Sequence, residues 1–508
     1  MKTRELKLEK ISLLAALLFA FMSCSSDDET VSETDGGSTT ESVSILDDSS
    51  SGTPEGDTDN DAANADDLLA NATFSSTVQI VFSDNSATVI NPLEGNGVSI
   101  TQDGGDVTVV STVSGVEYAL LGSTTDGSFK IYSDSKFLIS LNEVSITNSD
   151  GPAINNQSGK RTFVVMSGEN SLTDGSSYSN IPDDEDAKAT FFSEGQLIFS
   201  GTGSLSIAGM YDHAIASDDY VRMIEGTINI TQAVSDGIHT NDAFIADGGT
   251  LNINVDSDGI EVEEGYIVIN DGNFIINSDD GISATYETDE TIDPYVTING
   301  GSFTINATGE GIESKTTMTI NDGTFEIEAD DDGLNAGSAI YINGGELYVN
   351  SSTNDAVDSN GTLTITGGTI VAIGATAPEG SFDCDNSNFK ITGGNLVGIG
   401  GAASNPTSSI TTQNTLKLGS YTSAGNLLHI ESIDGIEAFT FLVPESYSTM
   451  IISNGKTNSN ETYKIYTGGS VSDGEDFFGL YTSGNYSGGA AQSTTFTVNN
   501  TVTSIGGM

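Results

Sequence analysis

Valine, isoleucine and threonine recur along the chain in short runs that alternate apolar and polar positions, and glycine, asparagine or aspartate closes each run. Such alternation predicts strands buried on one face. Two landmarks repeat. The first is a glycine ahead of an alternating strand, at Gly203, Gly226, Gly249, Gly272, Gly301, Gly323, Gly345, Gly368 and Gly394, with spacings of 23, 23, 23, 29, 22, 22, 23 and 26. The second is an acid, a small residue and an aliphatic, beginning at Asp236, Asp258, Asp280, Glu310, Asp332 and Asp355, with spacings of 22, 22, 30, 22 and 23. Both absorb extra residues between 282 and 299, which places one long loop inside one repeat.

A period near 22 that holds several short strands predicts an all-β fold, a right-handed parallel β-helix with coils of about 22–23 residues and a C-terminal β cap. Inward aliphatics then stack, and Ile238, Ile260, Ile282, Ile312, Leu334 and Val357 form one such column. Leucine-rich, propeller and calcium-toxin repeats are excluded, because their signatures or periods are missing. The expected layout is a signal peptide over 1–23 and a disordered acidic tether over 24–68. An N-terminal β region and cap follow over 69–140, then coils over 141–401 and closing strands over 402–508.

Composition narrows the partners. Fifteen Lys and Arg stand against 73 Asp and Glu among 508 residues, a formal net charge of −58. Such a chain cannot release counterions from a phosphate backbone, so nucleic acid is excluded as a partner. Lys2, Arg4, Lys7 and Lys10 precede the apolar run 11–22, the form of an export signal. The sequence then reads Phe21, Met22, Ser23, Cys24 and continues into acids, which resembles a bacterial lipoprotein signal. Cys24 would carry the acyl chains, palmitate among them, and this lipid would be the one membrane contact. The acidic run behind it resembles signals that place lipoproteins on the outer face of the outer membrane. The plainer alternative is an ordinary cleaved signal with an incidental cysteine. With Cys24 acylated, Cys384 has no disulfide partner and reads as a small core residue.

Stacked coils turn a periodic acid into a ladder of charge. Carboxylates about 4.8 Å apart repel by roughly 1–4 kcal/mol per pair, so something must offset them. One reading is Ca²⁺ held by Asp258, Asp279, Asp280, Glu310, Glu313, Asp331, Asp332, Asp355 and Asp358. The other is that each acid accepts N–H groups within its own turn. The asparagine column Asn270, Asn299, Asn321 and Asn343 reads as a structural amide ladder. Lys315 is the one base between Arg222 and Lys390. It is either a salt-bridging lysine or, with its pKa lowered, the base of a lyase acting on acidic sugars. His213 and His239 read as turn residues rather than ligands. Tyr286 and Tyr295 flank an acidic stretch of the long loop and are candidates for stacking on sugar rings.

Asn142 to Thr147, Pro152 to Ile154, Glu169 to Asp174, Gly201 to Leu205, the acid–glycine–isoleucine repeats, Tyr463 to Gly469 and Gly479 to Tyr481 follow one another in a specific order. In that order, over roughly 75–508, the chain resembles a family of secreted calcium-binding β-helix proteins known as carbohydrate-binding domain proteins. The resemblance implies a fold similar to pectate lyases, with binding of Ca²⁺ and of plant-type polysaccharides, acidic ones included, without established cleavage. The expected molecule is therefore a monomeric, surface-exposed lipoprotein that binds polysaccharide with Ca²⁺. The alternatives are a Ca²⁺-dependent polysaccharide lyase using Lys315, and a structural adhesin with no sugar site.

Overall fold

The computed structural model describes residues 42–506 except 180, 183, 184, 287, 290, 386 and 387. The signal, Cys24 and the start of the acidic tether lie outside the described residues. Three short strands make each coil. One coil comprises Ala243–Ala246, Thr250–Asn254 and Ile260–Val262. The next comprises Tyr266–Ile269, Asn273–Ser278 and Ile282–Ala284. Each strand pairs in parallel with its equivalent one coil on, residue for residue, as in Ala243↔Tyr266, Thr250↔Asn273 and Ile260↔Ile282. The three stacks form the first, second and third faces of a parallel β-helix.

Exact repetition brings like side chains together in the interior. The column Ile238, Ile260, Ile282, Ile312, Leu334 and Val357 is buried throughout. Phe274, Phe303 and Phe325 stack ring on ring at 4.9 and 4.6 Å. Glycine is needed where turns of successive coils nearly touch. A Cβ on Gly259, Gly281 or Gly311 would collide with the carbonyl oxygen of the glycine in the next coil. At the corner ahead of the second face, Gly249, Gly272, Gly301 and Gly323 adopt φ of 88°, 135°, 103° and 128°, which disfavours any side chain there.

Parallel stacking begins well before residue 141. Ser76–Asp84 pairs in parallel with Val116–Thr124, and that strand pairs with Phe137–Thr147. These long strands run through the corner between first and second faces, with Gly122 and Glu143 at positive φ inside them, so no turn separates two short strands as it does in later coils. At the other end, Thr449–Ser453 pairs antiparallel with Asn395–Gly400 and so occupies the free edge of the second face. A six-stranded antiparallel sheet follows, built around Leu427–Ser432 and Thr462–Thr467.

The expected disordered tether is a docked strap from residue 42 onward. Val43–Ile45 pairs with Tyr486, Asn485 and Gly484, at the far end of the chain. The strap then runs back along the first face, against the direction of coil progression. The asparagine ladder holds it. Each amide of Asn299, Asn321 and Asn343 donates one N–H to the side-chain oxygen of the asparagine one coil earlier, all at 2.8 Å. The second N–H goes to a strap carbonyl: Asn343 to Glu55, Asn321 to Asp57, Asn299 to Asn60 and Asn270 to Asp61, at 2.8–2.9 Å. Farther along, the fully buried Asp67 lies 2.8 Å from Arg161 Nε and 3.3 Å from Arg222 Nη1, and accepts from the Tyr220 hydroxyl at 2.6 Å. Leu69, Ala72 and Phe74 pack onto Leu138, Phe163 and Ile198. A composition argument counts apolar surface available for burial. Between residues 47 and 67 the segment has little such surface and is held by polar partners that other coils supply, with apolar packing at its two ends.

Asp67→Ala strips Arg161 and Arg222 of their buried counterion. The expected loss in denaturant unfolding is about 3–5 kcal/mol, with new protease cleavage between residues 50 and 68. Asn321→Ala removes one coil-to-strap bond and two bonds of the amide ladder, and should cost about 1–3 kcal/mol. Unchanged unfolding and cleavage in both variants would show that the strap adds no stability.

Candidate functional site

Each third-face strand starts two residues after an acid of the repeat, so the strand register fixes the acid register. Ile238, Ile260, Ile282, Ile312, Leu334 and Val357 pair in sequence. Asp236, Asp258, Asp280, Glu310, Asp332 and Asp355 therefore follow one another along a seam. Their hydrogen bonds run between coils rather than within one turn. The amide of Asp258 donates to Asp236 Oδ1 at 3.3 Å, that of Asp280 to Asp258 Oδ1 at 3.2 Å and that of Glu310 to Asp280 Oδ1 at 2.8 Å. Asp355 donates likewise to Asp332 Oδ1 at 3.0 Å, and Gly380 to Asp355 Oδ1 at 2.6 Å. A second column lies three residues on, where His239, Glu261, Ser283, Glu313, Asn335, Asp358 and Asp383 pair in order.

Electrostatics divide the seam in two. At its head, His213 takes the acid position of the coil before Asp236, and His239 takes the second-column position of Glu261. The two imidazoles stack at 4.2 Å. His239 Nδ1 lies 3.2 Å from Asp236 Oδ2 and 3.1 Å from Glu261 Oε2, and Nε2 lies 3.2 Å from Glu263 Oε2. Burial alone would favour neutral His239, but the hydrogen bonds and charges of Asp236 and Glu261 outweigh it and hold the imidazole well above its ordinary range. Burial likewise acts against ionised Asp236, and the two histidines overcome it, keeping this carboxyl below its usual value.

Farther along the seam, among the described residues, Lys315 beside Glu313 is the one cation paired with it, and Asp258, Asp332, Asp355 and Asp358 have none. Burial, followed by neighbouring carboxylates, pushes Asp258 up to about 7, Asp332 to about 8, Asp355 to about 7 and Asp358 to about 6. Asp280 and Glu310 act as a pair raised by burial, by Asp258 and Glu313, and in the case of Glu310 by Asp280 itself. The seam therefore carries more negative charge than its surroundings neutralise.

Two groups among the described residues bring three ligand atoms within 4.8 Å of one another: His213, Asp236 and His239, and Asp236, Asp258 and Glu261. Both can hold a metal ion. The histidines and Asp236 are the site residues that sequence reasoning passed over, although a histidine standing in an acid column was visible. Of the proposed ligands, Asp258 falls in a group. Asp279 and Asp331 flank the seam, where Asp279 Oδ1 accepts from Thr308 and Asp331 Oδ1 from Asn354, each at 2.6 Å. Gly309 takes the intervening place, since a Cβ there would strike the Asp280 carboxylate.

Lys315 pairs with Glu313. Burial would lower its pKa, but Glu313, with Glu310 and Asp280 behind it, raises the ammonium above the ordinary lysine value. This pairing is the salt bridge of the first reading, and it acts against the lowered pKa that a lysine base needs. Tyr286 and Tyr295 do not share a protruding loop. Tyr286 bridges to Glu264, while Tyr295 opens a first-face strand, stacks on Tyr266 at 5.0 Å and 3°, and accepts from Asn60 Nδ2 at 3.0 Å. The acids around Tyr286 drew both residues to the loop, but the coil register claims Tyr295 for the strand. Cys384 is buried, as a core residue should be, with its thiol 3.4 Å from the Gly361 carbonyl.

A family model for carbohydrate-binding domain-containing proteins matches residues 103–353 and 265–384, together more than half of the chain. The chain belongs to this family. In this carbohydrate-binding domain-containing protein the matched region contains the whole acid seam. A looser likeness joins it to a polysaccharide lyase-like protein from C. thermocellum, solved as a gadolinium derivative. The two are 20% identical over 57% of this chain and 97% of that one, with a TM-score of 0.38. At that score the likeness carries no functional argument. No curated protein sequence matches the chain.

An acid whose folded pKa stands above its unfolded value, near 4, holds its proton more tightly when folded, so folding weakens as pH rises between the two values. Asp258, Asp332, Asp355 and Asp358 place that window between about pH 4 and pH 8. His239, raised as well, acts in the same direction above its unfolded pKa. Asp236, lowered, opposes only in acid, where its stabilisation is lost. In EDTA the melting temperature should fall steadily from pH 5 to pH 8.5. A flat or rising profile would contradict the charge imbalance.

Proposed function

We propose that the protein is a non-catalytic, polysaccharide-binding surface lipoprotein whose acid seam holds Ca²⁺. The observation that carries the metal reading is the run of buried and half-buried carboxylates raised toward neutral pH, for which Lys315 at Glu313 is the one paired cation among the described residues beyond the histidines. Membership of a carbohydrate-binding domain family carries the glycan reading. Calcium takes six to eight oxygens in flexible geometry, and most carboxylates of the seam accept a backbone N–H through one oxygen, leaving the other. Asp236, Asp258 and Glu261 would hold one ion. Asp280, Glu310, Glu313, Asp332, Asp355 and Asp358 would hold others, with Asp279 and Asp331 on the outer rim. Bound calcium would supply positive charge facing the carboxylates of an acidic glycan, which this surface would otherwise repel. The lyase alternative needs a neutral lysine, and the Glu313 partner of Lys315 opposes that state.

Calcium should raise the melting temperature above that in EDTA, and more at pH 8 than at pH 5, where protons compete for the same oxygens. At about a hundredfold excess over Kd the gain is about 2.7 kcal/mol. Polygalacturonate columns should retain the protein in Ca²⁺ and release it in EDTA. An unchanged melting temperature removes the metal reading, and unsaturated product that disappears in Lys315→Ala removes the non-catalytic one. For the anchor, Cys24→Ser should abolish incorporation of labelled palmitate and free the protein from membranes. Labelling equal to wild type would refute acylation at this residue.

A further inference from the structure

Away from the seam, the first face carries an outward column of strand starts: Tyr220, Ala243, Tyr266, Tyr295 and Thr317, paired in that order. The strap passes beside this column and leaves two grooves. The first, of about 400 Å³, has Tyr220, Ile245 and Tyr266 on the coil side and strap residues 59–64 with Asp67 on the other. The second, of about 390 Å³, is lined by Tyr295, three first-face threonines, Asp57 and Asp293. The parallel rings of Tyr266 and Tyr295 stand between them, one belonging to each groove.

We propose that the two grooves form one track for a neutral oligosaccharide lying along the coil axis, with the stacked tyrosines as its central contact. The proposal deepens the polysaccharide-binding reading and rests on it for the class of ligand. Each groove has a volume usual for small-ligand sites. The walls combine what a pyranose presents. Aromatic surface meets the C–H groups of the ring, and aspartate, asparagine and threonine oxygens meet its hydroxyls. The Tyr266 hydroxyl makes no hydrogen bond among the described residues, whereas those of Tyr220 and Tyr295 are taken by the strap.

Charge selects against acidic sugars here. Among the described residues no lysine or arginine lines either groove. The nearby Arg222 is tied to Asp247 and Asp67, and Arg161 to Asp67. A uronate would meet Asp57, Asp59, Asp61 and Asp293 with no cation to balance it, but a neutral sugar can donate its hydroxyls to the same oxygens. Four coil steps separate Tyr220 from Thr317, about 19 Å at strand spacing, so an oligosaccharide rather than a single sugar spans the track.

Calorimetry of the full chain in EDTA with cellohexaose, xylohexaose and mannohexaose tests this. At least one should bind, Tyr266→Phe should bind within about threefold of wild type, and Tyr266→Ala should bind about tenfold more weakly or worse. Asp59→Ala, on an exposed strap position, should weaken binding severalfold and covers the case in which Tyr266→Ala fails to fold. Calcium-dependent retention on polygalacturonate should be the same in Asp59→Ala as in wild type. Absence of binding to all three hexaoses, or equal binding by wild type, Tyr266→Ala and Asp59→Ala, overturns the track. Loss of polygalacturonate retention by wild type would instead strike the calcium reading and leave the track standing.

Discussion

In-register pairing between successive coils is the constraint on which everything else in this molecule depends. Once Ile260 sits on Ile282 and Ile282 on Ile312, every other position of the coil is stacked as well. A side chain is then chosen less for its own environment than for what happens when copies of it lie about 4.8 Å apart. Aliphatics and phenylalanines gain from the repetition. Polar residues gain only if they carry both halves of a hydrogen bond.

Asparagine and aspartate show the difference. An amide donates and accepts, so each asparagine of the column satisfies the next and keeps one N–H over, which the strap carbonyls take. A carboxylate only accepts. The acid seam therefore borrows backbone N–H groups from the following coil, and this satisfies geometry without cancelling charge. At the head of the seam His239 supplies a donor and a positive charge, and Asp236 ionises readily there. Beyond it the same architecture holds acids that burial and one another push toward protonation. Two columns one chemical group apart thus become a structural spine and a place suited to cations.

How much of this could be read beforehand follows from the same logic. The period, the aliphatic column, the acid column and the amide ladder were legible because each is a repetition, and repetition survives in sequence. The role of His239 was not, since a single exception in a column carries no periodic signal. Tyr295 was assigned to the loop it adjoins, because the inserted residues between 282 and 299 hide where the next strand begins. The early coils escaped because their strands continue through that corner at a bulge, where Gly122 and Glu143 take positive φ inside a strand instead of a glycine separating two strands. The strap escaped for a deeper reason. Between residues 47 and 67 it contains almost no apolar surface, and the asparagine donors that hold it belong to residues more than two hundred positions away.

The strap also alters how such a fold holds together. In a solenoid each coil contacts its neighbours, so stability is close to a sum of local terms and an end can fray without the middle. A segment bonded to Gly484 at one end, to Asn343, Asn321, Asn299 and Asn270 in passing, and to Arg222 and Arg161 at the other joins coils that share no direct contact. Opening one coil then means breaking strap bonds as well as strand pairs. The strap also converts an otherwise flat strand face into one with walls. The grooves beside Tyr266 and Tyr295 exist because a polar segment lies across a regular surface, so the element that restrains the coils is the one that shapes a concavity on them.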